Sequence, residues 1–310
     1  MVFKKMLRAL GVGGPSVDTV LSDPRVRPGE WLTGEVRLAG GDADADIERI
    51  ALSLVARVDT GQGESAVEFH QEVVCGPFRL SAKENRAVAF RFAMPWEAPI
   101  TEVFGQHLHG ASLGLRTELT VAQAVDKGDL DPVYVEPLPA QEAVLDAFGR
   151  LGLHIAAAEL EAGRLHGVRQ QLPFFQQIEF YPPPGYAGMI EDIELTFVAD
   201  PDGIQVVLGA DKRSGLFPPG HDDLGRIGVS HAEAMRTDWA SAVTEWLDHL
   251  AQRRGAGAAG FGGYADHGGY GDHRGGPGIG GIIAGAAVGA VGGMIIGDMI
   301  EDAFEDDFED

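Results

Sequence analysis

Gly110-Ala111-Ser112-Leu113-Gly114 matches the G-x-S-x-G pattern of nucleophilic serines. That pattern works where a strained strand-to-helix turn lifts the hydroxyl above an α/β sheet. The residues after Ser112 alternate as a strand, and no βα unit surrounds them to hold a histidine partner, so a serine hydrolase is the remote reading. His107 and His109 lie two apart. On a strand both rings share a face and could chelate a metal, but no third ligand stands nearby, and a solvated face is the commoner setting for such a pair. His221-Asp222-Asp223 occupies a proline- and glycine-rich loop and reads as a solvated turn before it reads as a weak cation contact. Gly276-Pro277-Gly278-Ile279-Gly280-Gly281 matches G-x-G-x-x-G, yet no strand precedes it and no dinucleotide unit encloses it. Cys75 is the only cysteine. One thiol makes no internal disulfide, which fits a reducing compartment, and at a strand end it behaves as a small hydrophobe. No catalytic, cofactor-binding or metal-binding residue emerges, and the expectation is a protein that is not an enzyme and takes no cofactor.

The elements that would position these groups are mostly strands. A chain of 310 residues can bury two cores of ordinary size. Its 47 acidic against 24 basic side chains give a net charge of −23, which repels phosphate backbones and excludes nucleic acid as a natural partner. Through residues 15–126 the apolar period is two. Leu32, Val36 and Leu38 alternate with Thr33, Glu35 and Arg37, and the pattern repeats at Ile50–Val58, Val88–Met94 and Leu113–Val121. Turn clusters separate the runs, as in an N-terminal β-sandwich over 1–126. Phe3, Met6, Leu7 and Leu10 share one face of a short helix over 1–11, where no apolar run is long enough for a secretory signal. Residues 127–139 are rich in proline and charge and read as a linker. Alternation resumes from Leu151 to Leu208, divided by Pro182-Pro183-Pro184-Gly185 and Asp200-Pro201-Asp202-Gly203, giving a C-terminal β-sandwich over 140–228.

The period then changes. Met235, Trp239, Val243, Trp246, Leu247 and Leu250 recur at three and four residues, predicting one amphipathic helix over 229–254. Ser230 and Glu233 form its capping box, and Arg253-Arg254-Gly255 ends it. Residues 255–310 form a glycine-rich tail. Within it, 278–297 carries no charged or polar side chain, and Gly281, Gly285, Gly289, Gly293 and Gly297 recur every four residues. As a helix this segment spans ~30 Å and presents one small-residue face. Self-association, docking on protein, entry into lipid and a tail without fixed structure all remain open, because glycine costs ~1 kcal/mol per helical residue relative to alanine. The acidic end, residues 298–310, carries Phe304 and Phe308 as aromatic anchors.

Several separated blocks resemble one known family. Val17-Asp18-Thr19-Val20-Leu21 with Arg27-Pro28-Gly29-Glu30 and Gly34-Glu35-Val36 looks like the opening strands of the SpoOM family of bacterial sporulation-control proteins. Leu115-Arg116-Thr117-Glu118-Leu119-Thr120-Val121-Ala122 with Ala124-Val125-Asp126 is similar to the same family. So are Leu172-Pro173-Phe174-Phe175-Gln176-Gln177-Ile178-Glu179-Phe180 and Asp211-Lys212-Arg213. The blocks stand in the right order over residues 1 to about 250. The resemblance implies an arrestin-like fold of two β-sandwiches, no catalytic residues to carry over, and a regulatory role in the onset of sporulation or related development.

The sequence thus predicts a mainly β, non-enzymatic regulator or adaptor that acts through protein partners in the cytoplasm. The rival is a membrane-associated or self-assembling scaffold anchored by 278–297 at the inner face of the membrane. Candidate interaction residues are the five repeat glycines together with Trp239 and Trp246.

Overall fold

The computed structural model describes residues 13–210 and 225–259, and over these the chain is mainly β. Its first part holds β1 (Ser16–Leu21), β2 (Arg25–Val26), β3 (Trp31–Ala39), β4 (Ala45–Asp59), β5 (Glu64–Cys75), β6 (Phe78–Leu80) and β7 (Asn85–Ala93). There follow β8 (Glu102–Val103), β9 (Gln106–His107), β10 (Leu113–Val121), β11 (Lys127–Pro132) and β12 (Tyr134–Val135). Helix α1 (Pro139–Arg150) precedes β13 (His154–Ala162), β14 (Phe174–Tyr181), β15 (Ile193–Ala199), β16 (Gly203–Ala210) and β17 (Gly225–Ser230). Helices α2 (His231–Ala234) and α3 (Trp239–Ala259) close the described chain.

Two sheets carry the structure. A small one runs β1-β3-β7, and a large one runs β11-β10-β4-β13-β14-β15-β16-β17, with β5 and β6 also paired to β4. The period-two pattern decides which side chains go inside. In β3, Leu32, Val36 and Leu38 are buried while Trp31, Arg37 and Ala39 face water. Leu32, Val36, Phe90 and Phe92 of the small sheet meet Ile50, Leu52, Leu54 and Leu115 of the large one in a first core. A second core joins Ile178, Phe180, Leu195 and Val206 of the large sheet to Val144 and Phe148 of α1 and Trp239, Val243 and Leu250 of α3. A parallel contact, Glu161 opposite Asp59, carries the large sheet from one core to the other.

Residues 127–139 are not a linker. Lys127–Pro132 pairs antiparallel with β10, and Tyr134–Val135 pairs parallel with β2. The charge that suggested exposure has a structural use. Asp129 takes the Thr19 N–H at 2.6 Å, and the Thr19 and Thr117 hydroxyls lie 2.6 Å apart, so β11 seals one side of the first core.

The second unit opens on a helix, not on a strand. Pro139 supplies the fixed φ suited to a first helical turn, and the Gln141 side chain accepts the Leu138 N–H at 2.8 Å. Val144, Leu145 and Phe148 then fall on one buried face.

The single helix expected over 229–254 is two helices. The Ser230–Glu233 capping box forms, but α2 stops at Ala234. The Thr237 hydroxyl bonds the Glu233 carbonyl at 2.9 Å, and the Trp239 indole N–H bonds the Ala234 carbonyl at 2.8 Å, both ending α2. Asp238 then caps α3, accepting from the Ser241 N–H at 3.1 Å and from its hydroxyl at 2.8 Å. Met235 falls in the break and is exposed, outside the stripe it was assigned to. Gly255 does not stop α3, which continues to Ala259 through a Gly-Ala run. Glycine is tolerated in a helix at a modest cost.

Candidate functional site

Between β7 and β10 the chain leaves the first core and enters the second. Met94 and Ala98 belong to the first core, Ile100, Val103, Leu108 and Ala111 to the second, and Leu113 to the first again. Sequence placed all of 95–112 in the first sandwich. Leu160, Leu172 and Phe174, placed in the second, pack instead in the first core. Each unit therefore donates side chains to the other.

Polar bonds fix this exchange. The Glu97 carboxylate accepts the N–H groups of Gln171 and Leu172 at 2.8 and 2.9 Å. The Gln176 amide is bonded twice to the backbone of Ile100, and the Trp96 ring lies 5.6 Å from that of His231. The crevice bounded by Trp96, Ile100, Gln141, Gln176 and Phe197 encloses about 20 Å³, room for about one water. Geometrically it is a packed joint.

What the excursion exposes is its tip. β8 and β9 form a two-residue hairpin, Glu102 opposite His107 and Val103 opposite Gln106. Its turn is Phe104-Gly105, with φ of +52° and +74°. Positive φ at both central residues is the type I′ geometry, which favours Asn-Gly. A bulky residue in that region is strained, and Phe104 bears the strain while 66% exposed. An aromatic ring held out to solvent on a hairpin whose base is locked into a core is a preformed contact point. The sequence signal was the Phe-Gly pair flanked by Val103 and Gln106, and it went unread because the first turn residue is not Asn or Asp.

Beneath the tip, Glu102 is buried and paired with Arg25 at 3.1 Å, and the Arg25 guanidinium lies over the Tyr134 ring at 5.5 Å. His107 and His109 are both exposed as residues, but β9 ends at His107, so the two do not share a strand. Partial desolvation pushes His107 below the ordinary imidazole value, outweighing the Glu102 charge, which acts the other way; His109 adds to the lowering. Among the described residues no group of three or more histidine, cysteine or acidic side chains is arranged to hold a metal ion.

The G-x-S-x-G match has a packing explanation. Gly110 has φ +90°, and a Cβ there would sit 2.3 Å from the Ala158 carbonyl oxygen. At Gly114 it would meet Leu130 at 2.8 Å. Ser112 leads into strand β10, not into a helix. Cys75 ends β5, half-buried opposite Ile50.

Of the predicted interaction residues, Trp239 is buried in the second core and Trp246 is packed at its margin beside Gly225. Residues 1–11, His221-Asp222-Asp223, and the tail with Gly281, Gly285, Gly289, Gly293 and Gly297 lie outside the described residues. Among the described residues no helix is long and apolar enough to cross a membrane.

Comparison with known proteins agrees with the blocks read in the sequence. The profile of the family described as SpoOM protein matches residues 3–214. The sporulation-control protein Spo0M of Bacillus subtilis (strain 168) is 32% identical over 263 residues, covering 81% of this chain and 99% of that protein. The crystal structure of Spo0M from Bacillus subtilis superposes with a TM-score of 0.68 at 29% identity, covering 77% of this chain and 100% of that one.

Proposed function

The chain belongs to the SpoOM family, and from that premise we propose that it is a non-enzymatic regulator of bacterial development that works by holding protein partners. The frame for this is a first unit in which two sheets pack together and a second in which the continuing large sheet packs on α1 and α3, rather than the two β-sandwiches the sequence suggested. The observation that carries the reading is Phe104, strained and exposed on a hairpin whose base joins the two units. A partner gripping that ring would act on the joint directly, because Val103 and Leu108 on either side of the tip are buried in the second core. Such a grip couples recognition to the relative placement of the units, as an adaptor requires.

The test replaces the cellular copy with Phe104→Ala and follows the timing of development while monitoring protein level. The side chain is in water, so folding should be unchanged or improved. A developmental defect at normal abundance supports the reading. Unaltered timing overturns the assignment of the hairpin tip.

A further inference from the structure

We propose that the crest of the loop between β13 and β14, together with Arg226 of β17, docks an acidic peptide segment of a partner protein. This surface shares no residue with the hairpin tip and does not depend on it.

The loop is built, not slack. The Gly163 N–H closes its neck on the Pro173 carbonyl at 2.8 Å. Gln170, only 8% exposed, fills its inside. Its Oε1 accepts the Leu165 N–H at 2.9 Å, and its Nε2 lies 2.8 to 2.9 Å from the carbonyls of Gly163, Leu172 and Phe174. Leu165 anchors the loop on Phe175, Val198 and Val207, the side chains that alternate with those packed on α1 and α3. Arg164 is consumed by this framework, donating to the Gln170 and Gln171 carbonyls. Through Glu97 the far end of the loop is also tied to the joint between the units.

What the framework holds outward is positive. His166, Gly167 and Arg169 form an exposed crest. Gly167 has φ +73°, a conformation natural to glycine, and a Cβ there would run into the Arg226 guanidinium, so β17 brings a second exposed arginine against the same turn. His166, Arg169 and Arg226 make no ion pair with a described carboxylate. In a chain of net charge −23 that is selective. Arg25, Arg49, Arg79 and Arg116 each hold a carboxylate, and Arg86 and Arg91 lie over aromatic rings. Two open guanidinium forks and an imidazole gathered at one rigid turn fit carboxylates, which guanidinium binds through paired hydrogen bonds. Val168, half-buried beside them, adds an apolar contact. The charge of the whole chain chooses among anionic partners. Its field repels nucleic acid and anionic lipid surfaces, whose charge is extended, whereas a short acidic stretch in an otherwise neutral protein meets the local cations within a Debye length.

Isotope-labelled full-length protein, titrated with a short synthetic peptide of aspartate, glutamate, alanine and glycine, tests this by amide chemical shifts. Gly167, Val168 and Arg169 should shift, and the same peptide with asparagine and glutamine in place of its acids should bind about tenfold more weakly. Arg169→Gln and Arg226→Gln should each weaken binding about tenfold at an unchanged urea midpoint, since both side chains are in water. Phe104→Ala should bind the peptide as the wild type does, which separates this surface from the hairpin tip. The absence of shifts at these amides up to the solubility of the peptide overturns the proposal, as do shifts that persist in Arg169→Gln/Arg226→Gln. Displacement of the peptide by inorganic phosphate at equal or lower concentration also overturns it, because the turn then takes a small anion and not a peptide.

Discussion

The Gln176 side chain is bonded at both ends to the backbone of Ile100: Nε2 donates to the Ile100 carbonyl at 2.6 Å, and the Ile100 N–H donates to Oε1 at 2.9 Å. One amide thus replaces a strand partner for a residue entering the second core. Gln176→Ala strands both groups in a closed joint and should cost ~2–3 kcal/mol in urea unfolding. Because each unit packs side chains into the other's core, loss should appear as a lower midpoint of one transition. Two separated transitions, one per unit, would contradict the interlock.

Gly110 and Ser112 separate the packing account of the G-x-S-x-G run from the catalytic one. Gly110→Ala imposes a positive-φ penalty and a collision with the Ala158 carbonyl, and should destabilise the protein by more than ~1 kcal/mol. Ser112→Ala should leave unfolding nearly unchanged and abolish nothing. An esterase assay in which turnover is present and disappears in Ser112→Ala would reverse this conclusion.

The two tryptophans of α3 should behave unequally. Trp239 is 2% exposed and its indole N–H holds the end of α2. Trp239→Ala should cost ~3–5 kcal/mol and loosen α2 and α3 together. Trp246 is only partly buried, packed at the margin of the second core beside Gly225, and its alanine variant should cost less. Chemical denaturation of the two variants side by side, followed by far-ultraviolet circular dichroism, checks the ranking.

Strands were readable wherever one face is wet, as in β3 and β10, because alternation is then printed in the residue types. The β11 strand was hidden because its aspartates look like solvent-facing charge, although Asp129 serves a backbone donor on β1. Helix α1 was obscured by a preceding proline that suggested a linker, when proline also suits a first helical turn. The break between α2 and α3 was written in Thr237-Asp238 and Ser241, a second cap inside a stripe that otherwise looks continuous. Membership of residues 100–111 in the second core had no local signal: Ile100, Val103 and Leu108 are apolar in either unit, and only tertiary placement decides. Phe104 was legible as a residue and illegible as a site, since its meaning comes from a positive φ.

Asp131 makes the stability of the first unit pH-dependent. Its side chain shares the face of Leu115, which it opposes on β10, and its Oδ2 is buried without a hydrogen-bond partner. Burial first, then the charges of Asp129 and Asp18, push its carboxyl from an ordinary value of 3.8 up to about 7. In the unfolded chain the group gives up its proton near the ordinary value, while the folded chain keeps it until about pH 7. Between those limits the folded state binds more protons, so this group's contribution to stability falls as pH rises. It is full below pH 4 and gone above pH 7. Asp131→Asn keeps the shape and removes the ionisation. Since the group is partly solvent-screened, the gain at pH 8 should be on the order of 1 kcal/mol, shrinking to nothing or reversing at pH 4. Urea midpoints for both proteins from pH 4 to 8 decide it. Parallel pH profiles would show that Asp131 ionises as freely in the folded chain as in the unfolded one, and the seam between β1 and β11 would then carry no proton-linked strain.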